Sequence, residues 1–82
     1  MESLNTKFLK EISKIKEPEV FIGLAKVLGV KLLGEEKDEN GKFIPRDFTE
    51  VLDDVMKSFD GARRSRKGEL LRLLAEANKA KG

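Results

Sequence analysis

Apolar residues recur along this chain at steps of three and four, a rhythm that predicts helices. Leu4, Phe8, Ile12 and Ile15 fall in an arc of about 80° and predict a first helix from about Leu4 to Lys16. Ser3 or Asn5 is placed to cap its start. It should stop before Pro18, because a residue preceding proline is pushed out of helical geometry. A second helix begins at that proline, with Glu17 and Glu19 around it. Val20, Phe21, Leu24, Val27 and Leu28 share one face of it, and Gly29 is placed to close it in a left-handed conformation with Val30 as the apolar anchor beyond.

The rhythm breaks from Leu33 to Arg46. Gly34, Asn40-Gly41 and Pro45 are turn residues, and Glu35, Glu36, Asp38 and Glu39 make the segment acidic. It reads as a loop, or as a short hairpin turning at Asn40-Gly41 with strands near Val30–Leu33 and Lys42–Ile44. A third helix follows. Asp47 with Glu50 has capping-box spacing, Phe48, Val51, Leu52, Val55, Met56 and Phe59 keep the rhythm, and Asp60-Gly61 should end it. The fourth helix runs from about Ser65 to Lys79. Its Leu70, Leu71, Leu73 and Leu74 cover about 160° of circumference, wider than one contact with a core requires. These four leucines are therefore candidates for a partner or dimer face. The expected core is Phe8, Ile12, Phe21, Leu24, Leu28, Phe48, Leu52, Val55, Phe59, Leu70 and Leu74.

Composition narrows the chemistry. The 82 residues include no Cys and no His, so disulfides, thiol catalysis and the commonest general base are excluded, along with zinc and iron–sulfur sites. No glycine-rich phosphate loop is present, and nothing gives the acids an apolar pocket or a nucleophile. Neither catalysis nor a cofactor is expected. The most apolar stretch, Val20 to Leu33, is interrupted by Lys26 and Lys31 and is shorter than the roughly 18 residues of a membrane span. The N-terminus has no basic start leading into an apolar run, so a cytoplasmic location is the expectation.

Charge changes the picture more. The net charge is only +2, but residues 34–62 carry −5 and residues 63–82 carry +5. The densest cluster, Arg63, Arg64, Arg66 and Lys67, sits at the N-terminal end of the fourth helix, where the helix dipole disfavours cations. One reading is a grip on an anionic partner, since Arg forks onto phosphate or carboxylate. The other is internal pairing with Asp53, Asp54, Asp60 or the acidic loop. Lys7, Lys10 and Lys14 line one side of the first helix, either as a phosphate-tracking stripe or as a solvated face. Phe43 lies between Lys42 and Arg46, where it could stack on a base or plug the core under a loop.

Two short patterns invite comparison with known families. Glu36 to Asp47 resembles an EF-hand loop, with oxygen donors at Glu36, Asp38, Asn40 and Asp47 and glycine at position 6. It departs from that loop in Glu at position 1, Asp at position 12 and Pro45 at position 10, so calcium binding at physiological affinity is not expected. Leu24-Ala25-Lys26-Val27-Leu28-Gly29-Val30 resembles the Leu-Ala-x-x-Leu-Gly-Val run of helix-turn-helix regulators of the phage-repressor type. In that family a recognition helix follows the turn at once, whereas here Gly34, Glu35 and Glu36 occupy its place. No family residues carry over.

The expected fold is all-α: a small single-domain bundle of about four short helices over residues 1–82, with an acidic loop or small hairpin (34–46) and a basic C-terminal helix (63–82). The expected function is that of a small non-enzymatic accessory or regulatory protein. It would act by protein–protein contact through the leucine-rich C-terminal helix, with another protein or a second copy of itself as partner. The alternative is a nucleic-acid-binding regulator of phage or mobile-element type using Arg63, Arg64, Arg66 and Lys67, although dedicated nucleic-acid binders usually carry a larger basic excess. A third reading is a divalent-cation-responsive module. No membrane and no small-molecule substrate is expected.

Overall fold

Ser3 begins the first helix: its Oγ accepts the Thr6 N–H at 3.1 Å. In the computed structural model, which describes residues 1–81, α1 then spans Leu4–Ser13. It ends before the expected Lys16, because the Lys14 and Ile15 amides turn to the carbonyls three residues back and tighten the last turn. α2 spans Pro18–Val27, with Pro18 at its first position. Gly29 closes it at φ +72, its amide on the Lys26 carbonyl and the Val30 amide on that of Ala25. That is the double bond pattern of a Schellman cap, and Val30 packs against the core beyond it.

The all-α expectation is overturned after this turn. Leu33–Lys37 (β1) and Phe43–Pro45 (β2) pair antiparallel in a two-stranded sheet, with Leu33 opposite Pro45 and Lys37 opposite Phe43. The architecture is mostly helical but mixed, in the order α1-α2-β1-β2-α3-α4. The Asn40-Gly41 turn makes the hairpin: Gly41 adopts φ +79, and Asp38 Oδ1 accepts the amides of Asn40 and Lys42. β1 starts three residues later than its expected counterpart because Val30 and Leu32 are used as anchors against the helices.

α3 spans Phe48–Asp60 and α4 spans Arg64–Lys81. The Asp47–Glu50 capping box does not form: Asp47 makes no side-chain cap bond, and Glu50 lies 3.9 Å from Arg46 Nε instead. Gly61 ends α3 at an ordinary φ of −78. The last residue of the expected 63–82 element, Gly82, lies outside the described residues.

The core comprises Phe8, Ile12, Leu24, Ala25, Val51, Val55, Phe59, Leu70 and Leu74. At its centre the Phe8 and Phe59 rings stack with centroids 3.9 Å apart. α1 lies alongside α4 in the same direction. Asn5 near its start reaches Asp60 just before α4, and Glu11 near its end receives Asn78 near the end of α4. Four expected core residues move outward. Phe21, Leu28 and Leu52 sit at the margin, and Phe48 is 59% exposed. Val51, Val55 and Phe59 carry the inward stripe of α3; Phe48 shares their face, but at the first position of the helix it stands at the end of the stripe and packs on Phe21 instead.

The molecule is elongated, 49 × 28 × 17 Å, with a radius of gyration of 13.9 Å where a compact chain of this length gives about 12 Å. The hairpin projects from the helices. Arg46 ties its base down, its guanidinium donating to the Lys31 carbonyl at 2.8 Å and to Asp54 Oδ2 at 2.7 Å. No helix among the described residues is long and apolar enough to cross a membrane.

Candidate functional site

The turn from α3 into α4 divides the basic cluster. Arg66 pairs with Glu69 on the next turn of its own helix at 3.2 Å. Lys67 folds back: its Nζ lies 3.9 Å from Asp60 Oδ1 and 5.6 Å from the Phe59 ring centre, and its side chain is only 17% exposed. Asp60 also accepts from Asn5 Nδ2. Arg63 and Arg64 are exposed, and no carboxylate of the described residues lies within 4.0 Å of either. Arg64 and Lys67 line a hollow of about 290 Å³ with Ser3, Leu4 and Asn5, where α1 and α4 start side by side. Two of the four cations are thus committed inside the chain and two face solvent. Of the other acids considered as partners, Asp53 is taken by Lys57 and Asp54 by Arg46, and no carboxylate of the acidic loop pairs with the cluster among the described residues.

The first-helix lysines are likewise mostly engaged. Lys10 pairs with Glu2, Lys14 pairs with Glu11 at 3.0 Å, and Lys7 is exposed. The Lys14 hydrogen bond holds the Glu11 carboxyl below its ordinary range, against the effect of burial and with help from Asn78. Phe43 is half exposed on β2, with Lys37 Nζ 5.1 Å from its ring centre, so it does not plug the core. It borders a hollow with Val30, Leu32 and Leu33 at the base of the hairpin.

The EF-hand comparison meets strand-turn-strand geometry. Glu36 lies in β1, Asp38 is occupied by two turn amides, Asn40 sits in the turn, and Asp47 precedes α3. No group of three or more potential ligands among the described residues is arranged to hold a metal. The helix-turn-helix comparison ends at Val30, since a hairpin replaces the recognition helix. Among the described residues no charged side chain is fully buried.

The leucine fan of α4 is split by its neighbours. Leu70 and Leu74 are buried, and Leu71 is half-buried against the core. Leu73 remains 45% exposed. It stands on one bank of an open groove of about 380 Å³ between α2 and α4. Val27, 55% exposed, stands on the other bank, and Gly23 and Ala77 leave room between them. A Cβ built on Gly23 would meet no atom within 4 Å. The comparisons add no relative: the chain matches no protein-family model, no curated protein and no solved structure. The α2 bank escaped the sequence reading because Val20 and Val27 lie on the same apolar arc as the true core residues. The mid-helix Gly23, unfavourable in a helix and serving no turn, was the signal available. Arg46 also escaped it, as a single cation between Pro45 and Asp47.

Proposed function

We propose that this protein is a small non-enzymatic docking module that works by protein–protein contact at the groove between α2 and α4. The observation that carries this reading is the pair of apolar banks. Leu73 and Val27 stand exposed on adjacent helices, facing a lining that is almost wholly apolar. Both side chains are already about half buried, so covering the remainder is worth roughly 1 kcal/mol each, and a cleft presents them where a convex surface would not. Arg63 and Arg64 add steering toward an acidic partner, which raises the rate of encounter more than the final affinity.

The test is a photo-crosslinking residue placed at position 73 in cells, with position 72 as control. Arg72 is the neighbour on α4 that faces away from the groove, toward Glu11 and Asn78. A discrete adduct at 73 and not at 72 is expected. Equal labelling of both positions would count against the groove.

A second reading rests on Arg63 and Arg64 beside the adjoining starts of α1 and α4, as a weak phosphate-binding end for nucleic acid. It predicts that replacing both arginines by Ala flattens the slope of log affinity against log salt by about two units. Absence of any DNA or RNA binding at low salt would remove it.

A further inference from the structure

We infer that the occupant of the α2/α4 groove is a second copy of this chain, packed about a two-fold axis so that the two α2 helices cross antiparallel. The inference rests on the docking reading above and names its partner.

Surface area is the first argument. A folded monomer of 9.2 kDa exposes about 4,900 Å². This chain exposes 6090 Å², a surplus of about 1,200 Å² over that norm. A standard interface takes about 800 Å² from each partner, so even a smaller one on the α2/α4 flank brings the molecule closer to ordinary proportions.

Shape is the second argument. A glycine in mid-helix costs about 1 kcal/mol relative to alanine. Gly23 has no left-handed backbone and no close neighbour to justify that cost inside its own chain. What it does provide is a hole beside the ridges of Leu73 and Val27. A two-fold interface requires a surface to be its own complement, and a ridge next to a hole on one groove meets that requirement.

Charge is the third. Glu19 and Lys26 lie two helical turns apart on the same side of α2, one on each side of Gly23. Neither forms an ion pair with any described residue. Antiparallel crossing near Gly23 sets each Glu19 against the other copy's Lys26 and satisfies both twice. Parallel crossing sets like charge against like.

Because α2 is only about 15 Å long, the interface falls at the small end of its class, and the dimer is reversible and concentration-dependent. Sedimentation equilibrium of the purified full chain from about 10 μM to about 1 mM covers that range. The expected result is a dimer that Glu19→Lys or Lys26→Glu each weakens about tenfold or more and that the double reversal restores. Gly23→Leu is expected to abolish association while leaving the melting temperature unchanged or higher, because leucine favours helix and its Cβ meets no atom of its own chain. A wild-type chain that stays monomeric throughout overturns the inference, as does a dimer indifferent to these changes. If the wild type is monomeric while position 73 still crosslinks to a different protein, the docking reading stands and the dimer falls. If position 73 crosslinks no more than position 72, both fall.

Discussion

Phe59 and Phe43 are the same residue type in opposite circumstances. Phe59 is wholly buried and stacked on Phe8 where α1, α3 and α4 meet. Phe43 is half exposed on the projecting hairpin, with Lys37 against its ring. The helical region is held by apolar burial, which is non-directional and cooperative across elements. The hairpin is held by directional bonds: the Asp38 turn, the ladder, and the Arg46 clasp to Lys31 and Asp54. Two-stranded hairpins are marginal in isolation. The comparison teaches that one chain of 82 residues contains a region stabilised from within and a region that depends on its attachment.

The largest effect expected from breaking this contrast is at the stack. Phe59→Ala should lower stability by about 3–5 kcal/mol in chemical denaturation, while Phe43→Ala should cost less than about 1 kcal/mol. Similar losses at the two sites would show that the hairpin shares the core.

Gly29 and Gly41 sharpen the contrast because both are left-handed, at φ +72 and φ +79. Replacing either by Ala imposes about 1–2 kcal/mol of backbone strain. At Gly29 that strain should appear as a lower global unfolding free energy, since the cap seats Val30 on the core. At Gly41 it should instead speed amide exchange in β1 and β2 with little change in global unfolding. Global loss from Gly41→Ala would unite the two regions into one cooperative unit.

Arg46→Met should remove the clasp while keeping the aliphatic stem. Its partner Asp54 is partly exposed, which limits the loss to about 1 kcal/mol. The change should be read as faster exchange in the hairpin, with the α1 and α4 amides unaffected.

The smallest effect is electrostatic and belongs to the helical region. The carboxyl of Glu11 is held low by Lys14, so its folded pKa lies below its unfolded value. The stability it contributes is fully present above the ordinary carboxylate range and is lost as pH falls through the folded pKa. Glu11→Gln should therefore slightly reduce the melting temperature at neutral pH and leave it nearly unchanged in acid. A wild-type difference that grows on acidification would contradict the assignment.

Most of the helical region was legible from local pattern. Phe8, Ile12, Val55, Phe59, Leu70 and Leu74 are buried as their spacing requires, and Gly29 closes α2 in the left-handed form that only glycine adopts readily. The Asn40-Gly41 turn was equally legible, because its geometry depends on two adjacent residues and on nothing distant. Local pattern failed where a neighbouring element made the choice. Phe48 carries the same rhythm as Val51 and lies on the same face, yet whether a first-turn residue is covered depends on how far the neighbouring helices extend along α3. Glu50 had the spacing of a capping box, but Arg46 drew it away.

The candidate site shows the same division. Sequence alone determined that α4 has more leucines than one core can use, that its start is basic, and that His and Cys chemistry is absent. Periodicity reports which residues share a face, because side-chain direction repeats along the helix itself. It does not report what lies opposite that face. Only the packing of α1, α2 and α3 against α4 decided that Leu70 and Leu74 are covered, that Leu73 stands open across from Val27, and that Lys67 turns back to Asp60 while Arg63 and Arg64 do not. Those outcomes depend on contacts between residues far apart in the chain, and such contacts exist only once the helices have met.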